Sequence, residues 1–143
     1  MKILILNGPN LNRLGLRKPE IYGSKSMAQI LLEIQQIWPE VYLTYKQSNH
    51  EGDLIDWIQN TDQYDGIVLN AGGYSHTSVA LRDAVEEAEV PVVEVHISDI
   101  TKREAFRQKS LLTDVCAHSI IGKGTKGYEE AVDYIVSCVS KQH

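Results

Sequence analysis

Short apolar runs alternate with amphipathic helical patterns along the whole chain, and no other feature constrains the fold as strongly. The runs are Lys2–Asn7, Val41–Gln47, Gly66–Asn70, Val90–Val95 and Val115–Ile121. Several are continuously apolar rather than alternating, the pattern of parallel strands covered on both faces. Between them, Ser26 is placed to cap a helix over Met27–Ile37, with Ile30, Leu31, Ile34 and Ile37 at helical spacing. Ser48 and Glu51 have the spacing of a capping box ahead of Leu54, Ile55 and Ile58. Thr77 or Ser78 starts Val79–Ala88, Thr101 starts a short helix through Phe106, and Gly127 precedes Tyr128–Val139. The βαβαβαβαβα order predicts an α/β, flavodoxin-like fold: a five-stranded parallel sheet of order 2-1-3-4-5 with helices on both faces. No repeat or linker interrupts it, so residues 1–143 read as a single catalytic domain.

Composition excludes several classes of function. The net charge of −5 offers no basic footprint for nucleic acid and no polybasic patch for a membrane surface. No apolar run approaches the roughly 20 residues that span a bilayer. The apolar start, Ile3 to Leu6, is short and ends in polar residues, so it reads as a buried strand rather than a leader. Cys116 and Cys138 have neither metal nor redox spacing and are expected to be reduced. The expected location is cytoplasmic.

Ligands of open α/β sheets bind beyond the carboxyl ends of the strands, where the strand order reverses. With order 2-1-3-4-5, the loops after strands one, three and four share that crevice. The first strand empties into Asn7-Gly-Pro-Asn10, the opening of a long loop that carries Arg13, Arg17 and Tyr22. Long loops in compact domains are uncommon and tend to be functional lids. A phenol titrates near a pKa of about 10, and a guanidinium beside it favours the ionised form. The loop after strand three holds Asn70, Gly72, Gly73 and His76, and a helix starting after Thr77 is expected to aim its positive end there. Glu94 and His96, two apart on one strand, point to one face, so the carboxylate can orient the imidazole. Asn49, His50 and Glu51 lie away from the switch point and read as capping or interface residues.

Rival motifs fail on context. Gly122-Lys-Gly-Thr-Lys-Gly127 has the letters of a dinucleotide fingerprint, but that fingerprint needs a following strand and an acidic residue about 20 positions on. Here the chain ends first, and the reading is a turn with helix entry. A Walker loop is absent. The first loop lacks both the acidic cluster of a phosphoacceptor and the Ser/Thr/Gly richness of a flavin site. No His/Cys group has structural zinc spacing, and no metal is expected.

The blocks Leu6-Asn-Gly-Pro-Asn-Leu-Asn-Arg-Leu-Gly15, Arg17, Pro19, Tyr22-Gly23, Gln47-Ser-Asn-His-Glu-Gly52, Asn70-Ala-Gly-Gly-Tyr-Ser-His76 through Asp83, Pro91 through Ser98, Arg103-Glu-Ala-Phe-Arg107 and Gly122 through Tyr128 strongly resemble the type II 3-dehydroquinate dehydratases. The resemblance covers nearly the whole chain. It implies a cofactor-free loss of water from 3-dehydroquinate to 3-dehydroshikimate through an enolate, in the shikimate pathway or quinate catabolism. It also implies a homo-dodecamer, a tetramer of trimers. It further implies Tyr22 as base, Arg17 as the cation that keeps it ionised, Asn10 holding the enolate oxygen through a water, and His96 as general acid oriented by Glu94. Asn70, Ser98 and the Ile97 N–H would bind the substrate carboxylate, and His76 and Arg107 the ring hydroxyls. Asp83 would reach a neighbouring subunit. Lys18 stands where the family commonly has an acidic residue. No lysine among Lys2, Lys25 and Lys46 fits a buried imine-forming position.

Overall fold

The computed structural model describes residues 1–140. A five-stranded parallel sheet runs in the order β2-β1-β3-β4-β5, with β1 Lys2–Asn7, β2 Tyr42–Gln47, β3 Gly66–Asn70, β4 Val92–His96 and β5 His118–Ile121. Five helices accompany it: α1 Pro19–Tyr22, α2 Met27–Ile37, α3 Glu51–Gln59, α4 Val79–Glu87 and α5 Lys126–Ser140. Every residue of β3 and β4 is buried, as are Ile3 to Asn7 of β1, so the continuous apolar runs of the sequence are central strands.

Side-chain alternation sorts the core into two layers. Ile3, Ile5, Val68, Val93 and Val95 face α2 and α5, where Ile30, Ile34, Ala131, Val132 and Ile135 cover them. Leu4, Leu6, Ile67, Leu69 and Val92 face α3 and α4, where Leu54, Ile58, Leu81 and Val85 cover them. Full burial of each such aliphatic side chain contributes roughly 1.5–3 kcal/mol. One parity follows for the ends of the strands: Asn7 and Asn70 belong to the α2/α5 face, Glu94 and His96 to the α3/α4 face.

Helix entries follow local chemistry. Ser26 caps α2 in a full capping box: its hydroxyl accepts from the Gln29 N–H, and the Gln29 side chain accepts from the Ser26 N–H. Ser78 caps α4 by accepting from the Leu81 N–H. The expected capping box at Ser48 and Glu51 does not form. His50 is the N-cap residue of α3 and makes no side-chain cap bond. Ser48 is two residues too early, and its hydroxyl instead accepts from the His50 N–H and donates to Asp53 at 2.6 Å, while Glu51 accepts from the Ser78 hydroxyl.

Three other expectations shift. Thr101–Phe106 is not one helix. Two 3₁₀ turns, Ile100–Lys102 and Ala105–Arg107, are split by an extended Arg103, and Asp99 rather than Thr101 is the cap. β5 starts at His118 rather than Val115, because Val115 and Cys116 close a turn on the Leu112 carbonyl, with Leu112 fully buried. β4 begins after Pro91, which has no N–H to give to a sheet ladder.

Candidate active site

A cleft opens at the carboxyl edge of the sheet, where the connections leaving the parallel strands β1 and β3 turn to opposite faces. Residues from the loops after β1, β3 and β4 line it, as strand order requires. Gly8 joins the first two loops. Its N–H donates to the Asn70 carbonyl at 2.8 Å, and a Cβ at this position would stand 2.5 Å from the Ala71 carbonyl oxygen.

The loop after β1 is not featureless. It contains a 3₁₀ turn, Leu11–Arg13, and the one-turn helix α1, which ends on Tyr22. Asn10 and Lys18 are the two described non-glycine residues with left-handed backbone, at φ 69° and 37°. Asparagine tolerates this region; lysine is held there at a cost. Asn49 braces the loop, because its Oδ1 accepts from the Asn10 N–H at 2.9 Å and from Gln47 at 3.1 Å. Asn49 therefore neither caps a helix nor lies remote from the site.

Tyr22 is buried, and its hydroxyl accepts from the Arg103 guanidinium at 2.9 Å. The Arg17 guanidinium lies over the Tyr22 ring, 4.6 Å from its centroid. Two arginines thus contact the phenol, one at its oxygen and one at its face. Arg103, at the oxygen, is a site residue with no role among the sequence expectations. Its signal in the sequence is a second arginine four before Arg107 in the segment after β4. Arg103 also reaches Ser98 Oγ at 3.4 Å, and Arg107 pairs with Glu104 at 2.9 Å.

Across the cleft, His96 Nε2 donates to Glu94 at 2.6 Å, with both side chains buried. Glu94 accepts from three hydroxyls as well: Thr113 at 2.7 Å, Ser119 at 2.8 Å, and Ser110. Ser119 is its register partner on β5. Burial by itself pushes this carboxyl up, but the hydrogen bond and charge of His96, with the Ser110 and Thr113 hydroxyls, outweigh burial and hold it down at about 2. Glu94 is therefore a carboxylate at neutral pH, and it fixes the His96 ring. His76 Nδ1 donates to the Lys109 carbonyl at 2.8 Å, which leaves its Nε2 for a ligand. The two imidazole centroids are 6.2 Å apart.

Most of the expected residues line this one cleft: Asn10, Arg17, Tyr22, Asn70, His76, His96, Ile97, Ser98 and Arg107, with Arg103 added. Glu94 stands behind His96. Asp83 does not join them; it lies on the exposed face of α4, outside its own chain's cleft. The expectation that a helix start after Thr77 points into the cleft also fails. A 3₁₀ segment, Gly72–His76, intervenes, and the start of α4 is occupied by Ser78 and Glu51. The cleft encloses about 160 Å³, the scale of a single six-membered ring. Its lining includes three arginines and neither carboxylate nor lysine, a cationic lining in a chain of net charge −5. Among the described residues, no group of three or more His, Cys, Asp or Glu is arranged to hold a metal ion, and no helix is long and apolar enough to cross a membrane.

A family model described as dehydroquinase class II matches residues 1–136. The chain belongs to the class II dehydroquinases. This membership makes it a hydro-lyase. The 3-dehydroquinate dehydratase of Exiguobacterium sp. (strain AT1b) is 49% identical over 144 residues, covering 100% of this chain and 99% of the relative. That of Bacillus subtilis is 50% identical over 137 residues, covering 94% and 93%. The crystal structure of the type II dehydroquinase from Butyrivibrio crossotus superposes with a TM-score of 0.91 at 42% identity, over 95% of this chain and 97% of that one. The dehydroquinase fold assignment and the five-stranded order agree with the sequence reading.

Proposed function

We propose that the protein removes water from 3-dehydroquinate to give 3-dehydroshikimate, with Tyr22 as base and His96 as general acid. The carrying observation is the pairing, across one ring-sized, arginine-lined cleft, of an arginine-bonded phenol with a carboxylate-bonded imidazole.

A proton on carbon next to a ketone is weakly acidic, so its removal needs a base and a stabilised enolate oxygen. The Tyr22 phenolate takes that proton. Arg103 donates to its oxygen and Arg17 lies over its ring. Asn10 is the cleft-lining amide on the same loop and holds the enolate oxygen. The enolate then collapses to the conjugated ketone, and the carbon–oxygen bond to the leaving hydroxyl breaks. His96 gives that hydroxyl a proton, and water departs. Because Nε2 is bonded to Glu94, the transferred proton sits on Nδ1, and the Glu94 carboxylate pairs with the imidazolium that carries it. A proton passing from Tyr22 to His96 through solvent completes the cycle, with no net redox change.

Asn70, Ser98 and the Ile97 N–H hold the substrate carboxylate; His76 and Arg107 hold ring hydroxyls. The chain assembles as a dodecamer, and there Asp83 meets a neighbouring subunit's site. Purified protein mixed with 3-dehydroquinate should generate the ultraviolet absorbance of the conjugated product without added metal or nucleotide. Absence of that absorbance, in protein shown to be folded, contradicts the proposal.

A further inference from the structure

The Gly122–Tyr128 segment, a turn with helix entry, ends in a residue the mechanism does not use. Tyr128 sits in the first turn of α5 with no exposed surface. Its hydroxyl donates to Asn7 Oδ1 at 2.8 Å and accepts from Asn70 Nδ2 at 3.0 Å. Asn7 and Asn70 are register partners at the ends of β1 and β3, so their amides point to the same face, where α5 lies. Asn7 is also fully buried; its Nδ2 lies 3.4 Å from the Tyr45 hydroxyl and 3.3 Å from Met27 Sδ. Asn70 Oδ1 accepts from the Gly72 N–H at 3.2 Å.

These contacts have one consistent polarity. A phenol has a single proton, and Asn7 Oδ1 takes it, so the phenol oxygen faces Asn70 as an acceptor. If the Asn70 amide turned over, its oxygen would face that acceptor and its NH₂ would face the Gly72 N–H. Two acceptors and two donors would then oppose each other in a buried site. The Asn70 amide is therefore held with its nitrogen on the Tyr128 side, leaving one N–H unpaired by protein on a residue that lines the cleft.

We infer that Tyr128 is a positioning residue for substrate anion binding: its buried hydroxyl, acting through Asn70, fixes the amide orientation that presents an N–H to the substrate carboxylate. The inference rests on the proposed dehydratase reading and deepens it. Tyr128 itself touches no substrate.

The test is Tyr128→Phe, which keeps the ring and its packing and removes only the hydroxyl, measured with 3-dehydroquinate in the wild-type and Asn70→Ala backgrounds. KM should rise about tenfold, the scale of one hydrogen bond to a charged group, with kcat within about twofold. In the Asn70→Ala background the same substitution should leave KM within about twofold, because the residue it acts through is gone. An unchanged KM in the first background, or an equal rise in both, overturns the inference. A purely structural hydroxyl would lower Tm without this split. If Tyr128→Phe does not fold, wild-type protein labelled at its asparagine side chains supplies the reading by nuclear magnetic resonance. An Asn70 NH₂ pair with a nuclear Overhauser contact to the Tyr128 ring that shifts on adding 3-dehydroquinate supports the inference, and a pair that lacks that contact or does not shift overturns it. Wild-type protein inert toward 3-dehydroquinate would instead sink the dehydratase reading, a separate outcome.

Discussion

At the scale of single residues, the site depends on how two ionisable groups are partnered. Tyr22 has guanidinium groups at its oxygen and over its ring. Removing Arg103 withdraws a charged hydrogen bond from the position where the negative charge must sit, which is worth roughly 10–100-fold. Arg103→Ala should therefore lower kcat by that factor with a smaller change in KM, in steady-state assays with 3-dehydroquinate. A KM effect alone would mean that Arg103 binds substrate instead of supporting the base. Glu94 gives a prediction about acid stability. Its carboxyl is held at about 2 in the fold against an ordinary 4.5, so the unfolded chain binds this proton first as pH falls. The stability it contributes is intact above pH 4.5 and is lost as pH drops from there to about 2. Urea midpoints measured across that window should fall less steeply for Glu94→Gln than for wild type, and parallel slopes would refute the assignment.

At the scale of elements, the switch point is held together by close backbone approach. Gly8 accepts no side chain without collision with the Ala71 carbonyl. Gly8→Ala should push the loops after β1 and β3 apart, lowering Tm by several degrees and kcat/KM by at least tenfold. A variant with wild-type melting and turnover would show that this contact is slack. The same scale explains what the sequence made legible. β1, β3 and α2 match their expected bounds because apolar runs, helical spacing and the Ser26 cap agree with one another. The capping box at Ser48, the helix from Thr101 and the early start of β5 failed because other nearby groups in the same segment took the partners assigned to caps and strands. Asp53 took the Ser48 hydroxyl, Asp99 took the Thr101 N–H, and the Leu112 carbonyl took the Val115 and Cys116 N–H groups. Arg103, Asn49 and the hydroxyls around Glu94 were not legible because each acts across long sequence separation. Arg103 and Tyr22, for example, lie 81 positions apart.

At the scale of the whole molecule, a negatively charged chain concentrates three arginines in one cleft and places the carboxylate of Glu94 behind an imidazole rather than at its mouth. The parity of the strands makes this arrangement possible. The Asn7 and Asn70 amides end the α2/α5 face, Glu94 and His96 end the α3/α4 face, and the cleft spans the edge between them. Anionic substrate is drawn to the cleft by charge, so raising ionic strength should increase KM for 3-dehydroquinate more than it changes kcat. An ionic-strength-independent KM would show that the three arginines do not draw the substrate anion to the cleft. The central claim concerns Tyr22 itself, and the most direct measurement is turnover and substrate binding of Tyr22→Phe side by side. The account predicts a loss of kcat of about 10²–10⁴-fold, with 3-dehydroquinate binding retained within a few-fold by calorimetry. Turnover at the wild-type rate would contradict it.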